Sequence, residues 1–247
     1  MKKAISWRDY DIFKDRKELF GATFHRHGGS SGGAFTSLNV SNSVGDHPQY
    51  VKSNREKIRK ASGMWELVFL KQVHGDRIIE ITKDNFGEAF VADGMFTMEK
   101  GLGLAIAHAD CQAALFYDPV KGAIAAVHAG WRGQMQNIYA KTVAFFKERS
   151  GSRPSDILVS ISPSLGPDHA YFPNYREEFP EEYWSYKKEN DHFDLWQLSR
   201  MQLVVAGVRE KNIEIAGICT FCNSNDYYSF RKEKLTGRNA TVIGLAL

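Results

Sequence analysis

Residues 101–133 read GLGLAIAHADCQAALFYDPVKGAIAAVHAGWRG. Segments 102–109, 111–117 and 122–128 are apolar runs of the length of buried strands, and the last two flank a turn at Asp118-Pro119-Val120-Lys121. A hairpin closed symmetrically between Pro119 and Val120 pairs Tyr117 with Gly122. Continued without a bulge, it sets Cys111 directly opposite His128, where Cβ atoms stand about 4.5–5.5 Å apart on one face. From residue 131 to 150 the spacing turns helical, with Met135, Ile138, Val143 and Phe146 on or near one side and Gly151 past the end. Buried strands interleaved with helices place the chain in the α/β class.

The pattern continues on both sides. Segment 48–62 reads as a helix, with Pro48 in its first turn and Gly63 as its stop. Segments 67–73 and 77–81 read as strands broken at His74-Gly75-Asp76. Segment 157–161 is a further strand, 163–193 an irregular excursion rich in Pro, Tyr and charge, and 195–210 a helix. That helix has Asp194 as N-cap and Gln197 three positions on. Strands at 213–218 and 241–245 follow. No repeat or long linker divides the chain. The expectation is one domain over residues 1–247, a single mixed sheet with flanking helices, since a chain of this length can bury one core.

Composition removes several classes. Hydrophobic residues make up 43%, with 21 Gly and 7 Pro, which excludes collagen-like, low-complexity and globally disordered chains. Net charge is +3, too mild for a nucleic-acid protein. The densest basic run, Arg55 to Lys60 interrupted by Glu56, reads as the solvated face of a helix. No apolar run reaches the roughly 18 residues of a membrane span. After Met1-Lys2-Lys3 come Arg8, Asp9 and Asp11 in place of an apolar stretch, so a cytoplasmic protein is expected. Three cysteines argue against a disulfide framework. A small-molecule substrate, no nucleic-acid or membrane partner, and a monomer are the corresponding expectations.

The chemistry concentrates at Cys111 and His128. Their expected separation suits two ligands of one metal, given Zn–S of about 2.3 Å and Zn–N of about 2.0–2.1 Å. It equally suits a nucleophile and its base, or a buried cysteine beside a core histidine. His74, at the break between two strands, is the best third group. Two His and one Cys leave a fourth position open, the pattern of a catalytic zinc. Gly130-Trp131-Arg132-Gly133 opens a helix and offers backbone N–H groups and a guanidinium to an anion, or is simply the helix entry. The glycine-rich His25-to-Gly33 segment lacks the Gly-Lys-Ser/Thr ending of a P-loop. Asp93 and Asp110 are possible acid/base groups or caps. Cys219-Thr220-Phe221-Cys222 is one CxxC without a second, a weak redox or zinc signal.

Further strings carry a family resemblance. Lys71-Gln72-Val73-His74-Gly75-Asp76-Arg77, Ala92-Asp93-Gly94, Ala109-Asp110-Cys111 and Ala126-Val127-His128-Ala129-Gly130-Trp131-Arg132-Gly133 resemble the bacterial laccase-domain family. This is also called the multicopper polyphenol oxidase-like or purine nucleoside phosphorylase-like family. The likeness extends from Arg26-His27-Gly28-Gly29 and Leu38-Asn39-Val40, through Gly45-Asp46 and Asn54-Arg55, to Ser229-Phe230-Arg231 and Thr236-Gly237-Arg238. The chain departs from the family at His108, where many members have Thr, and more loosely over 162–167 and 171–173.

The resemblance implies an α/β domain related in architecture to the catalytic domain of cytotoxic necrotizing factor. It also implies a metal held at His74, Cys111 and His128. The activities it implies are zinc-dependent phosphorolysis of adenosine, inosine, guanosine and methylthioadenosine, adenosine deamination and, in older descriptions, copper-dependent phenol oxidation. Some members are described as editing factors for peptidoglycan composition. Eight His, with His25-Arg26-His27 the lone His-x-His and no His-Cys-His, are too few for a four-copper array, although a single His₂Cys site would also take copper. The H-x-E…P-C-x-x-C signature of zinc deaminases is absent. The reading is therefore a zinc nucleoside enzyme, with Arg26 and Arg132 as phosphate-binding candidates and Asp110 and Arg132 as catalytic ones. A copper phenol oxidase at the same site, a metal-free hydrolase or deamidase using Cys111 and His128, and a non-enzymatic module that retains a zinc are the alternatives.

Overall fold

The computed structural model describes residues 4–247. Its regular elements are β1 (Trp7–Asp9), β2 (Leu19–Phe24), α1 (Pro48–Ser62), β3 (Glu66–Phe69), β4 (Ile78–Glu80), β5 (Gly94–Thr97), β6 (Leu102–His108), β7 (Gln112–Asp118) and β8 (Ala123–Ala129). There follow α2 (Trp131–Met135), α3 (Ile138–Ser150), β9 (Leu158–Ile161), α4 (Tyr175–Glu178), α5 (Leu195–Val205), β10 (Ile213–Ile215), α6 (Phe230–Glu233) and β11 (Asn239–Leu245). Every residue of β7 and β8 is buried, which is why both read as continuous apolar runs without alternation.

The β7–β8 hairpin forms, but two residues out of the expected register. Asp118 lies opposite Ala123 and Tyr117 opposite Ile124, so the loop is 119–122. The Asp118 carboxylate accepts the N–H groups of Val120 and Lys121, and its carbonyl accepts that of Gly122, whose φ is +63°. This turn chemistry overrides the symmetric closure. Ala113, not Cys111, therefore faces His128, and Cys111 immediately precedes the strand. A slip of two keeps Cys111 and His128 on the same face.

The single mixed sheet expected from the sequence is instead two. Among the described residues, one sheet runs β1-β2-β11-β6-β3 and the other β10-β9-β7-β8-β5-β4, each with parallel and antiparallel pairs. The chain changes sheet between β6 and β7. Asp110, at φ +79°, makes that corner, so two consecutive apolar strands do not pair with each other. Strands β1, β2 and β5 have no counterpart in the sequence reading.

The sheets pack face to face. Val68, Leu104, Ile106 and Ile243 of the first meet Met95, Leu115, Ile124 and Ala126 of the second. Ile58 of α1 covers the outer face of the first sheet with Phe24, Leu38, Met64 and Val242. Ile138, Val143 and Phe146 of α3 and Leu203 of α5 cover the outer face of the second, against Phe96, Phe116 and Val127. The result is an α/β/β/α arrangement.

Helix boundaries follow their caps. Gly63 closes α1 at φ +71°, and the Asp194 carboxylate caps α5 at the Gln197 N–H. The helix expected over 131–150 is broken into α2 and α3 at Asn137, which adopts φ +52° and accepts the Ala140 N–H on its side chain. Asn is among the few residues that sit in this conformation readily and also cap well. The 195–210 helix ends at Val205, with Gly207 at φ +97°. The 163–193 excursion consists of short helical turns around Phe172, Tyr175, Phe179, Tyr183 and Phe193, onto which Trp131 stacks. Among the described residues no helix is long and apolar enough to cross a membrane.

Gly122 isolates the turn's contribution, because a Cβ there would meet nothing within 4 Å and only its positive φ opposes a side chain. Gly122→Val is expected to cost about 1–3 kcal/mol and Gly122→Asn less. Urea unfolding of both variants checks this. Equal loss would show that packing, not backbone conformation, sets the hairpin.

Candidate metal centre

His74, Cys111 and His128 come from three places. His74 occupies a tight loop after β3 at φ +61°, Cys111 follows the Asp110 corner, and His128 lies near the end of β8. Their ligand atoms all lie within 4.8 Å of one another. The two imidazoles meet edge to face, with centroids 4.8 Å apart and planes at 82°.

Asp93 organises the group. It is fully buried, one residue before β5. Its Oδ1 accepts the His74 N–H (3.0 Å) and the His128 Nδ1–H (2.8 Å), and its Oδ2 accepts the N–H groups of Val73 (3.1 Å) and Gly75 (2.8 Å). Its carbonyl accepts the His128 N–H at 2.7 Å. With Nδ1 donating to a carboxylate, Nε2 of His128 is the nitrogen left for a ligand, a common arrangement behind metal-bound histidines.

The charges of these groups depend on one another. Burial pushes the Asp93 carboxyl up, but His128 and the amides of Gly75 and Val73 outweigh it and hold the pKa below the usual range. Burial also raises the Cys111 thiol, yet His128 and His74 bring it down to about 6. Burial lowers His128, and Cys111 and Asp93 raise it to about 9. Cys111 thus favours the thiolate, the form that binds metal.

The backbone leaves room for an ion. A Cβ on Gly130 would lie 2.9 Å from His74 Cδ2, 3.3 Å from Cys111 Sγ and 3.6 Å from His128 Cε1. One sulfur and two imidazoles converging beside a residue without a side chain fit a four-coordinate cation such as zinc with one open position.

A cavity of about 480 Å³ opens on this group, walled by Arg55, Phe69, His74, His108, Cys111, His128 and Arg238, among others. The Arg55 guanidinium lies 4.0 Å over the Phe69 ring and donates from Nε to the Val40 carbonyl. Burial lowers its pKa to about 10. Burial likewise lowers Arg238, whose Nη1 donates to the carbonyls of Thr236 and Gly237. His108 is buried, shares a 2.8 Å hydrogen bond with Thr241 Oγ1, and is pulled by burial to a pKa of about 3. It is a neutral part of the wall.

Other residues singled out in the sequence lie elsewhere. Arg26 spans to Glu233 and the Ser224 carbonyl, each at 2.8 Å, and lies over Tyr228. Arg132 is exposed and lies 4.3 Å over the Trp131 ring. Neither belongs to the cavity wall described. Asp110 accepts Thr220 Oγ1, Ser229 Oγ (both 2.7 Å) and the Arg231 N–H (2.5 Å), tying the 220–231 segment to the corner before Cys111. The solvated face assigned to 55–60 is corrected at Arg55. It shares a helical stripe with Val51, Ile58 and Ser62, all buried, and that spacing was the available signal. Arg238 ends the Thr236-Gly237-Arg238 string of the family resemblance, which was its one signal in the sequence.

Comparison with known proteins places the chain in a family. The family model described as multi-copper polyphenol oxidoreductase laccase matches residues 21–246. The chain belongs to this laccase family. Among its relatives, purine nucleoside phosphorylase YlmD of Geobacillus stearothermophilus is 34% identical, over 89% of this chain and 87% of that protein. Purine nucleoside phosphorylase YfiH of Escherichia coli is 31% identical, over 89% and 91%. The crystal structure of YlmD from Geobacillus stearothermophilus superposes with a TM-score of 0.90 at 30% identity, covering 100% of this chain and 98% of that one. That of YfiH from Bacillus licheniformis gives 0.88 at 30%, covering 97% and 98%. The laccase-family fold is thus a mixed α/β fold with two mixed sheets.

Two substitutions test the geometry in this laccase-family chain. Gly130→Ala is expected to displace His74 and lower bound metal sharply while the far-ultraviolet circular dichroism is unchanged. Asp93→Asn is expected to weaken metal affinity about 10–100-fold, because the amide no longer orients His128 as the carboxylate does. Chelator competition reads both, and wild-type affinity in Asp93→Asn would refute the orienting role.

Proposed function

We propose that the chain is a zinc-dependent purine nucleoside phosphorylase acting on adenosine, inosine, guanosine and methylthioadenosine, with adenosine deamination at the same site. The observation that carries this reading is that one cavity is lined by a group of three possible metal donors, by Arg55 and Arg238, and by apolar residues such as Phe69. Relatives named as purine nucleoside phosphorylases support it.

His74, Cys111 and His128 would hold the zinc, which when bound supplies a Lewis acid facing the substrate. Arg55 and Arg238 are placed to bind phosphate, since desolvated guanidiniums engage such an anion strongly. Phe69 and the stems of both arginines offer the apolar surface a purine requires. In phosphorolysis a phosphate oxygen bonds to the ribose C1′ as the glycosidic bond breaks, so phosphate must be held beside the sugar, and a cation on the cavity wall does this. Neutral His108 excludes a further positive charge from that wall. Arg26 braces Glu233 and the Ser224 carbonyl and Asp110 braces the 220–231 segment, while Arg132 is exposed beside Trp131. The same reading takes residues 1–247 as one cytoplasmic, monomeric domain, related to the catalytic domain of cytotoxic necrotizing factor.

The test is inosine turnover with phosphate, using chain purified without added metal. Chelator treatment is expected to abolish turnover and zinc to restore it. Arg55→Met and Arg238→Met are expected to raise the phosphate KM about tenfold or more, the loss of a charge-assisted hydrogen bond, while Arg132→Met changes it little. Full turnover by metal-free protein would overturn the zinc reading. Restoration by copper together with phenol oxidation would favour the oxidase. Cys111→Ser that loses activity yet binds as much zinc as the wild type would favour Cys111 as a nucleophile.

A further inference from the structure

We propose a second metal site, for zinc or a similarly thiophilic divalent cation, held by His169, Cys219 and Cys222. It shares no ligand with the first and does not depend on the nucleoside reading.

The Cys219-Thr220-Phe221-Cys222 string lacks a second CxxC, and in sequence it carries little weight. The fold supplies a third donor from far upstream. His169 ends the short 3₁₀ turn Pro167–His169, and its Nε2 lies 3.2 Å from Cys222 Sγ. The ligand atoms of all three residues lie within 4.8 Å of one another. Ligands at about 2.0–2.3 Å from a tetrahedral zinc stand roughly 3.3–3.8 Å apart, so small side-chain adjustments close this set around an ion, and a two-residue spacer is the usual one between zinc-binding cysteines.

Three features beyond the donors shape the site for a metal. The Gly166 N–H donates to Cys219 Sγ at 3.3 Å, the outer-shell bond that stabilises a ligating sulfur. That approach needs a residue without a side chain, because a Cβ on Gly166 would sit 3.0 Å from Cys219 Cβ and 3.2 Å from its Sγ. The His169 ring stacks on Phe221, inside the CxxC string, with centroids 3.9 Å apart and planes 21° apart, which fixes the imidazole toward the two thiols. A disulfide between Cys219 and Cys222 would use neither His169 nor this stacking.

The site's place in the fold suggests its work. The 163–193 excursion and the C-terminal segment meet here through the Ser164–Cys219 bridge, with Thr220 N–H donating to the Ser164 carbonyl. Thr220 in turn donates to Asp110, the corner residue before Cys111. A metal at His169, Cys219 and Cys222 clips together two long, irregular segments that contribute few strand hydrogen bonds. Binding replaces the two thiol protons with the cation and releases them to solvent.

Cobalt(II) and zinc titrations of the full-length, metal-stripped chain under reductant test this. The wild type is expected to bind two equivalents, both giving thiolate-to-cobalt absorption. Cys219→Ser/Cys222→Ser is expected to bind one. Cys111→Ser is expected to keep one, still with thiolate absorption. Should the double variant fail to fold, His169→Ala, which leaves both thiols in place, is expected to weaken one site about tenfold or more and spare the other. A reduced wild-type chain that binds a single equivalent, lost in Cys111→Ser, would overturn the proposal. So would a Cys219–Cys222 disulfide that persists in the reduced chain.

Discussion

One buried carboxylate fixes the geometry of the candidate metal group. Asp93 has no solvent to satisfy it, so its oxygens must find donors inside the protein, and they find four: three consecutive backbone amides and an imidazole. The amides hold the loop that carries His74 in its left-handed turn. The imidazole is His128, fixed in tautomer and direction. Two ligands 54 positions apart in the chain are thus referred to a single atom pair. The third, Cys111, is placed by a second aspartate: Asp110 turns the chain from one sheet into the other and anchors the 220–231 segment as it does so.

The sequence disclosed elements better than their pairing. Apolar runs at β6, β7 and β8 and the capped helices α1 and α5 were legible because burial and caps are local properties. The two-sheet arrangement was not, because a positive φ at one aspartate decides whether β6 and β7 become neighbours. The hairpin register depended on which four residues the turn took, and Asp118 chose by hydrogen-bonding two of their amides. At the site, Cys111 and His128 stood out as reactive residues at the edges of apolar strands. Arg55 was legible in principle from its helical stripe but was masked by the basic run around it. Arg238 stood in a family-resemblance string without a role, and the partnership of His169 with the CxxC string arises only from tertiary structure.

The family description speaks of several coppers, whereas the described residues gather two separate groups of three donors. One group contains two imidazoles and one thiol, the other one imidazole and two thiols. Multinuclear copper chemistry depends on many imidazoles at short range, and neither group provides them. The shared fold does not by itself establish the chemistry that the family name suggests.

Arg55 has a thermodynamic consequence of its own. Its guanidinium is largely withdrawn from water, lies over an aromatic ring, and forms no ion pair among the described residues. The folded chain bears the cost of that desolvation, and the unfolded chain does not. An anion that binds beside Arg55 offsets the cost only in the folded state, so ligand affinity and fold stability are linked quantities. At a hundredfold excess over the dissociation constant, such linkage contributes about 2.7 kcal/mol. If Arg55 recognises such an anion, the melting temperature becomes a gauge of how much anion surrounds the protein.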